Sequence, residues 1–446
     1  MYAKKIAILV GGCGLMVAAC APAEEPTAAC RANGQAMLAA FTTGDYDHAV
    51  THFAPDIAAK VTPATLKSIW AQLQSSAGAF RKLGDLQPRT EGDRTLLAAD
   101  LGFANQSLTA VIRCDAQDRI AIFRIVPVDA STKAQTSAPE SASGIASAIQ
   151  VASPVGPLPG TLVLPKGDGP FPAVVMLVGS GAHDRDETIG PNKAFRDLAD
   201  GLAAAGVASL RYDKRTYAYG LKMMSDRVTV DEEVTDDAVT ALQLLAKQPH
   251  IDPKRVFVLG HSLGAFMAPR IGQRDPQLAG IIMMAAPPSF SLDTIIKQAR
   301  YQASLQGVPT AQIDQKLAPL IKQRDILAHA DPAHPPAGDF FHAPASYWLS
   351  IRDYDPVSTA KHLHEPILLL QGAADVQVFP KEDFAAWQAA FAHDPRVTLI
   401  EYPGLGHMFM PASQPPSPDD YDKPGHVDAK VIQDIARWIK AQPARS

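Results

Sequence analysis

Gly260-His261-Ser262-Leu263-Gly264 constrains this chain more than any other five residues in it. It follows Arg255-Val256-Phe257-Val258-Leu259, a short apolar run that reads as a buried strand. It opens into Ala265-Phe266-Met267-Ala268, which reads as a helix. Gly-x-Ser-x-Gly between a strand and a helix predicts a sharp, strained turn that lifts the serine hydroxyl above the sheet edge. Side chains at the two glycine positions would collide with the neighbouring strand and helix. The helix behind the serine offers a backbone N–H and a favourable dipole to a developing oxyanion. Composition alone yields such a pentapeptide about one time in ten in a chain this long, so its weight depends on what surrounds it.

The chain has 446 residues, too many for one typical domain, and two are expected. A net charge of −5, with no basic run and no Arg/aromatic surface pattern, argues against a nucleic-acid partner. Residues 1–19 read as a cleavable leader: Lys4 and Lys5 form a positive start, and Ile6 to Val17 is too short to anchor in a bilayer. Val17-Ala18-Ala19-Cys20 resembles a bacterial lipobox, in which the cysteine is acylated and becomes the mature N-terminus. That resemblance implies lipidation at Cys20 and a place in the cell envelope. Ala21, not Asp, follows the cysteine, which favours the outer membrane. A plain secretory signal cut near Ala23 is the alternative, and would leave the protein periplasmic or secreted. Cys13 leaves with the leader. Cys30 and Cys114 remain, either as one disulfide or as two buried thiols, and sequence leaves both open.

Residues 27–128 read as a small α+β unit. Ala28 to Phe53 has helical periodicity broken at Gly44-Asp45. Thr62-Pro63 looks like the cap and first position of a second helix. Three strand-like runs follow, Leu96 to Gly102, Ser107 to Cys114 and Arg119 to Val126. Residues 129–150 are rich in Ala, Ser and Thr and read as a linker. From residue 151 apolar strands alternate with helices, which indicates a mostly parallel sheet covered on both faces. The alternation stops between Pro287 and about Pro366, where Leu292 to Leu305 and Thr310 to Leu327 read as amphipathic helices.

Acyl transfer through a serine needs a base to take its proton and an acid to fix the tautomer of that base. In α/β-hydrolases they follow the serine in the order Asp or Glu, then His. Leu368-Leu369-Leu370-Gln371-Gly372-Ala373-Ala374-Asp375 is an apolar strand, a small-residue turn and a carboxylate. Gly404-Leu405-Gly406-His407 is a histidine in a loop after the run Val397 to Tyr402. Ser262, Asp375 and His407 therefore stand in the required order, each at the end of an expected strand. His261 lies inside the turn and reads as a packing or orienting residue. His362 and His364 form no metal site, and no zinc-type Cys/His spacing occurs, so neither metal nor organic cofactor is expected. The N–H of Leu263 is the first expected oxyanion donor, and Ser180 in Gly179-Ser180-Gly181 is the candidate for the second, with Gly179 close behind.

Two family resemblances extend this reading. Phe41-Thr42-Thr43-Gly44-Asp45-Tyr46-Asp47 and the Trp70…Gly78 spacing resemble the DUF3887 domain of the NTF2-like group, which implies an accessory, non-catalytic role. Residues 151–446 look like the serine α/β-hydrolase group that spans esterases, lysophospholipase-like proteins and S9/S33-type peptidases. Gly179 to Lys193, Leu210-Arg211-Tyr212-Asp213-Lys214-Arg215 and Gln371-Gly372…Asp375 resemble its secreted esterase-like members. Val178 stands where those members often carry His. The resemblance implies a mostly parallel sheet with helices on both faces, a helical lid at 287–366, an acyl-enzyme intermediate and a small-molecule ester substrate. Aminopeptidase and thioesterase activity are alternatives within the same chemistry. A binding protein acting through its N-terminal domain is the alternative outside it. Asp184, Asp186 and Arg215 are loop charges near the expected site, read either as a structural ion-pair network or as substrate contacts.

Overall fold

The structure is a computed structural model that describes residues 26–58, 61–91, 94–104, 107–127, 141–219, 227–341 and 343–445. The expected leader, with Cys13 and Cys20, and residues 129–140 of the expected linker lie outside the described residues. The chain divides into two compact units between Ile125 and Val126.

The first unit sets four helices against an antiparallel sheet. Ala28–Thr43 ends at Gly44, whose φ of 86° provides the left-handed C-cap that glycine takes at low cost. Tyr46–Val50 resumes beyond it, capped by Asp45. Thr62 caps Pro63–Ala77 through its side-chain oxygen on the Thr65 N–H, as the Thr-Pro pair predicts. The strands are β1 Phe80–Leu83, β2 Gln87–Glu91, β3 Arg94–Phe103, β4 Ser107–Cys114 and β5 Ile120–Pro127, ordered β1-β3-β4-β5 with β2 also paired to β3. Sequence periodicity missed β1 and β2, which are short and mostly polar. Phe41, Trp70, Phe80, Phe103 and Phe123 fill the core with edge-on and tilted ring contacts. Cys30 and Cys114 are joined by a disulfide, with Cα atoms 5.9 Å apart.

The second unit is built on eight strands: β6 Ile145–Val151, β7 Leu158–Leu164, β8 Phe171–Leu177, β9 Ala208–Tyr212, β10 Ile251–His261, β11 Gly280–Met284, β12 Ile367–Gly372 and β13 Val397–Tyr402. Across the sheet the order is β6-β7-β9-β8-β10-β11-β12-β13. The pairs from β9 to β13 are parallel, and β6 and β7 add antiparallel at one edge. Here the linker boundary is corrected, because residues 145–151 form the edge strand. Their Ala/Ser-rich composition hides a ladder held by backbone pairing to β7, with Ile145 more than half exposed.

Alternation along the central strands divides the core in two. Val256 and Val258 of β10 face one apolar cluster with the helices Asp236–Leu245 and Leu263–Arg274. Phe257 and Leu259 face the other, with the helices Ala194–Ala204 and Ala429–Ala441. This is the mostly parallel sheet covered on both faces that the sequence predicts. The segment after β11 carries the helices Leu292–Leu305, Thr310–Ala328, Ala345–Arg352 and Pro356–His362 before the chain re-enters the sheet.

Candidate active site

The serine turn is built by collisions that only glycine avoids. A Cβ on Gly260 would lie 2.2 Å from the Gly264 carbonyl group, and one on Gly264 would lie 2.3 Å from the Leu177 oxygen of β8. Between them Ser262 is held at φ 53° and ψ −114°, a left-handed strain that L-residues rarely accept. Its N–H donates to Met284 O, the last residue of β11, at 2.9 Å. The helix Leu263–Arg274 starts immediately behind it.

Asp375 and His407 meet because the ends of β12 and β13 are zipped together. Ala373 N–H donates to Tyr402 O, and Ala374 N–H donates to Leu405 O, each at 2.9 Å. His407 Nδ1 then lies 2.8 Å from Asp375 Oδ2, with both side chains almost fully buried. A carboxylate accepts and does not donate, so Nδ1 carries a proton, and in the neutral ring the lone pair is on Nε2. The carboxylate is itself fixed. Oδ1 accepts from the N–H groups of Gln377 and Val378 at 2.7 and 3.0 Å, and Oδ2 also accepts from Gln371 Nε2 at 3.0 Å.

The loop after β8 is pinned by buried charges that sequence reasoning did not pick out. Lys214 Nζ donates to Gly179 O at 2.8 Å and to Gly181 O at 3.2 Å, and pairs with Glu233 Oε1 at 3.4 Å. An ammonium has three N–H donors, and these three acceptors match them. Glu233 is held in turn by Tyr347 Oη at 2.8 Å and Thr216 Oγ1 at 3.1 Å. The Gly179–Ser180 peptide is trans, so with its C=O turned to Lys214 the Ser180 N–H points away from Lys214. Gly179 N–H is already bound to Glu187 Oε1 at 2.6 Å, which removes Gly179 from the candidate oxyanion donors. A Cβ on Gly179 would meet Ser262 Cβ at 3.3 Å, so this loop runs directly against the serine.

The loop charges turn inward as a structural network. Asp184 accepts from Thr188 N–H at 2.9 Å and from Thr188 Oγ1 at 2.7 Å. Asp186 receives Arg211 Nε at 2.8 Å and pairs with Lys193. Arg215 is buried and forks onto Asp237 at 2.6 and 2.5 Å, which overturns its reading as a substrate contact. Glu187 pairs with His261, whose Nδ1 lies 2.9 Å from Glu187 Oε1. The only signal for this pairing in the sequence was charge on a loop, and burial is a tertiary property. Among the described residues no group of three or more His, Cys, Asp or Glu is disposed to hold a metal ion.

A doubly wound, mostly parallel sheet with a strained serine turn and a buried Asp–His pair at the carboxyl ends of its strands defines a hydrolase architecture. Residues 174–418 match the alpha/beta hydrolase family, and the chain belongs to it. It is 33% identical over 401 residues to Esterase EstD of Thermotoga maritima, spanning 89% of this chain and 92% of that one. Esterase FrsA of Klebsiella pneumoniae is 29% identical over 132 residues, 29% of either chain. The solved structure of Est1E from Butyrivibrio proteoclasticus is 16% identical, covers 67% of this chain and 96% of that one, and has a TM-score of 0.42.

Proposed function

We propose that the chain is a serine esterase that cleaves carboxylic esters through an acyl-enzyme. The observation that carries this reading is the buried His407 Nδ1–Asp375 pair, which leaves Nε2 of His407 as a base in a unit that also strains Ser262 into a left-handed turn. In the first half-reaction His407 Nε2 takes the Ser262 hydroxyl proton as Oγ bonds to the ester carbonyl carbon. The negative oxygen of the tetrahedral intermediate is met by the N–H groups of Leu263 and Ser180. Collapse breaks the bond to the alcohol, which leaves with the proton from His407. Water repeats the sequence and releases the acid. Likeness over nine-tenths of the chain to a protein named an esterase supports ester over amide. A peptidase reading would require Asp184, Asp186 or Glu187 to hold a substrate amine, and Asp184 is already bound to Thr188 of its own loop, Asp186 to Arg211 of β9 and Glu187 to His261.

The insertion at 287–366 acts as a lid in this reading. A cavity of 890 Å3 between its two long helices and the loop carrying Asp375 supports that role, lined by Ile296, Tyr301, Ile313 and Phe379 with Lys297 and Lys381. The N-terminal unit is an NTF2-like accessory module, and Cys20 carries a lipid that tethers the protein in the envelope. Hydrolysis of a short p-nitrophenyl ester by wild type and by Ser262→Ala tests the core of the proposal. Loss of turnover in a folded variant supports it, and wild-type turnover in that variant overturns it.

A further inference from the structure

His261 sits between two groups that can only accept. Its Nδ1 is 2.9 Å from Glu187 Oε1, and its Nε2 is 3.0 Å from the backbone oxygen of His407. Either neutral tautomer would press a nitrogen lone pair against an oxygen lone pair at that distance. A proton on Glu187 Oε2 would be orphaned, because that oxygen is buried with no hydrogen-bond partner among the described residues. A proton on Oε1 would lie on the same line to His261 Nδ1, and the Gly179 N–H at 2.6 Å on that oxygen favours the carboxylate, which places the proton on the ring. We propose that His261 is a doubly protonated positioning residue, whose ring clamps the Gly179–Gly181 loop, through Glu187, to the loop of the general base. The proposal rests on the esterase reading only in naming His407 as that base.

The geometry of the clamp is specific. Glu187 receives both the first N–H of the loop that runs against Ser262 and the imidazolium, on one oxygen. Glu187 is held at φ 50°, the same left-handed strain as Ser262, which marks a backbone position kept against its preference. The rings of His261 and His407 are 4.6 Å apart at their centroids, so the clamp reaches the base from behind, through its carbonyl. The groups that act on His261 are the Glu187 carboxylate, the His407 carbonyl and, farther off, Asp375. His183, whose Nε2 lies 2.7 Å from Ser180 O, is a further cation when protonated that favours the Glu187 carboxylate, although burial lowers its own ring below the ordinary value. Burial alone would push the His261 ring below its ordinary value, but the Glu187 charge and hydrogen bond outweigh it and raise it.

The test reads the protons on the ring directly. The full chain is labelled with 15N-histidine, and the His261 signal is identified by its loss in His261→Gln. Wild type should show two protonated ring nitrogens at pH 7. In Glu187→Gln the amide oxygen keeps the shape of the contact but not the charge, and one ring nitrogen should lose its proton. The same variant should lose roughly 10–100-fold in kcat with KM within about threefold, the scale seen when a partner that orients a functional group is removed. A bare ring nitrogen on His261 in wild type, or a wild-type kcat in Glu187→Gln once that proton is gone, overturns the proposal. Wild-type spectra decide the charge even if both variants misfold. Reaction of Ser262 with a fluorophosphonate probe reports the esterase reading separately. Labelling with a neutral His261 sinks only the clamp, and no labelling sinks the esterase while leaving the charge state standing.

Discussion

Replacing Lys214 by methionine keeps an apolar stem of similar length and deletes the charge that holds the Gly179–Gly181 loop. Gly179 O and Gly181 O lose donors at 2.8 and 3.2 Å, and Glu233 loses its counter-ion. Two carbonyl bonds to a charged donor are worth about 1.5 kcal/mol each at the low end of their range, so the loss is near 3 kcal/mol. Glu233 keeps Tyr347 and Thr216, which holds the cost to the lower end of what breaking a buried ion pair exacts. At roughly 2–4 °C per kcal/mol, the melting point of the hydrolase unit should fall by about 6–12 °C. With the Gly179–Ser180 peptide free to rotate, kcat should fall at least about tenfold, toward the roughly 10²–10³-fold cost of losing one oxyanion donor. The paired variant Lys214→Met/Glu233→Gln removes the stranded charge as well. It should recover stability without recovering kcat. Thermal melts and p-nitrophenyl ester kinetics on the three proteins decide the matter. A folded Lys214→Met enzyme with wild-type kcat would show that the ammonium does not orient an oxyanion donor.

Other perturbations separate structure from chemistry. Arg215→Met strands Asp237 in the core and should cost about 3–5 kcal/mol in urea unfolding, while the KM ratio of a carboxylate-bearing ester to its neutral analogue stays put. A changed ratio would return Arg215 to the substrate pocket. Cys30→Ala/Cys114→Ala opens a loop spanning 84 residues and should lower the stability of the N-terminal unit by about 2–4 kcal/mol, read as an earlier transition in calorimetry. The buried Glu187–His261 pair should also shape stability against pH. Burial raises the Glu187 carboxyl, but the charges of His261 and His183 and the Gly179 N–H outweigh it and lower it, so its contribution is present above 4.5 and fades as pH falls through the folded value. His261 is raised, so its contribution is complete below 6.5 and fades as pH rises through the folded value. Urea midpoints of wild type minus those of Glu187→Gln should therefore peak between 4.5 and 6.5, and a flat difference would refute the pairing.

The parts of the site that were legible in the sequence lie at ends of strands. Gly260 and Gly264 are glycine because neighbouring backbone leaves no room for a Cβ, and that demand writes itself into five consecutive residues. Asp375 and His407 follow apolar runs whose length and flanking small residues mark the edges of a sheet. Lys214 and Glu233 were not legible as a site, because one reads as a cation just past a strand and the other as an acid in the first turn of a helix, while Glu187 was legible only as a loop charge that could hold a substrate amine. Only the fold reveals that they are buried and on whom they act. Strand β6 was hidden for another reason. An antiparallel edge strand is satisfied by its backbone ladder to β7, so Ile145-Ala146-Ser147-Ala148-Ile149-Gln150-Val151 can keep the composition of a linker. Sequence left Arg215 between two roles, because a cation after a strand reads alike whether it faces a carboxylate of the substrate or, as here, Asp237 in the helix Asp236–Leu245.

The central claim is that Ser262 forms a covalent acyl-enzyme. Brief exposure of the full chain to a p-nitrophenyl ester, acid quench and peptide mapping by mass spectrometry test it most directly. The account predicts one acyl group, on the peptide containing Ser262, appearing with the burst of p-nitrophenol and absent from Ser262→Ala. Steady ester hydrolysis with no adduct on that peptide, or an adduct on another residue that carries the burst, would contradict it.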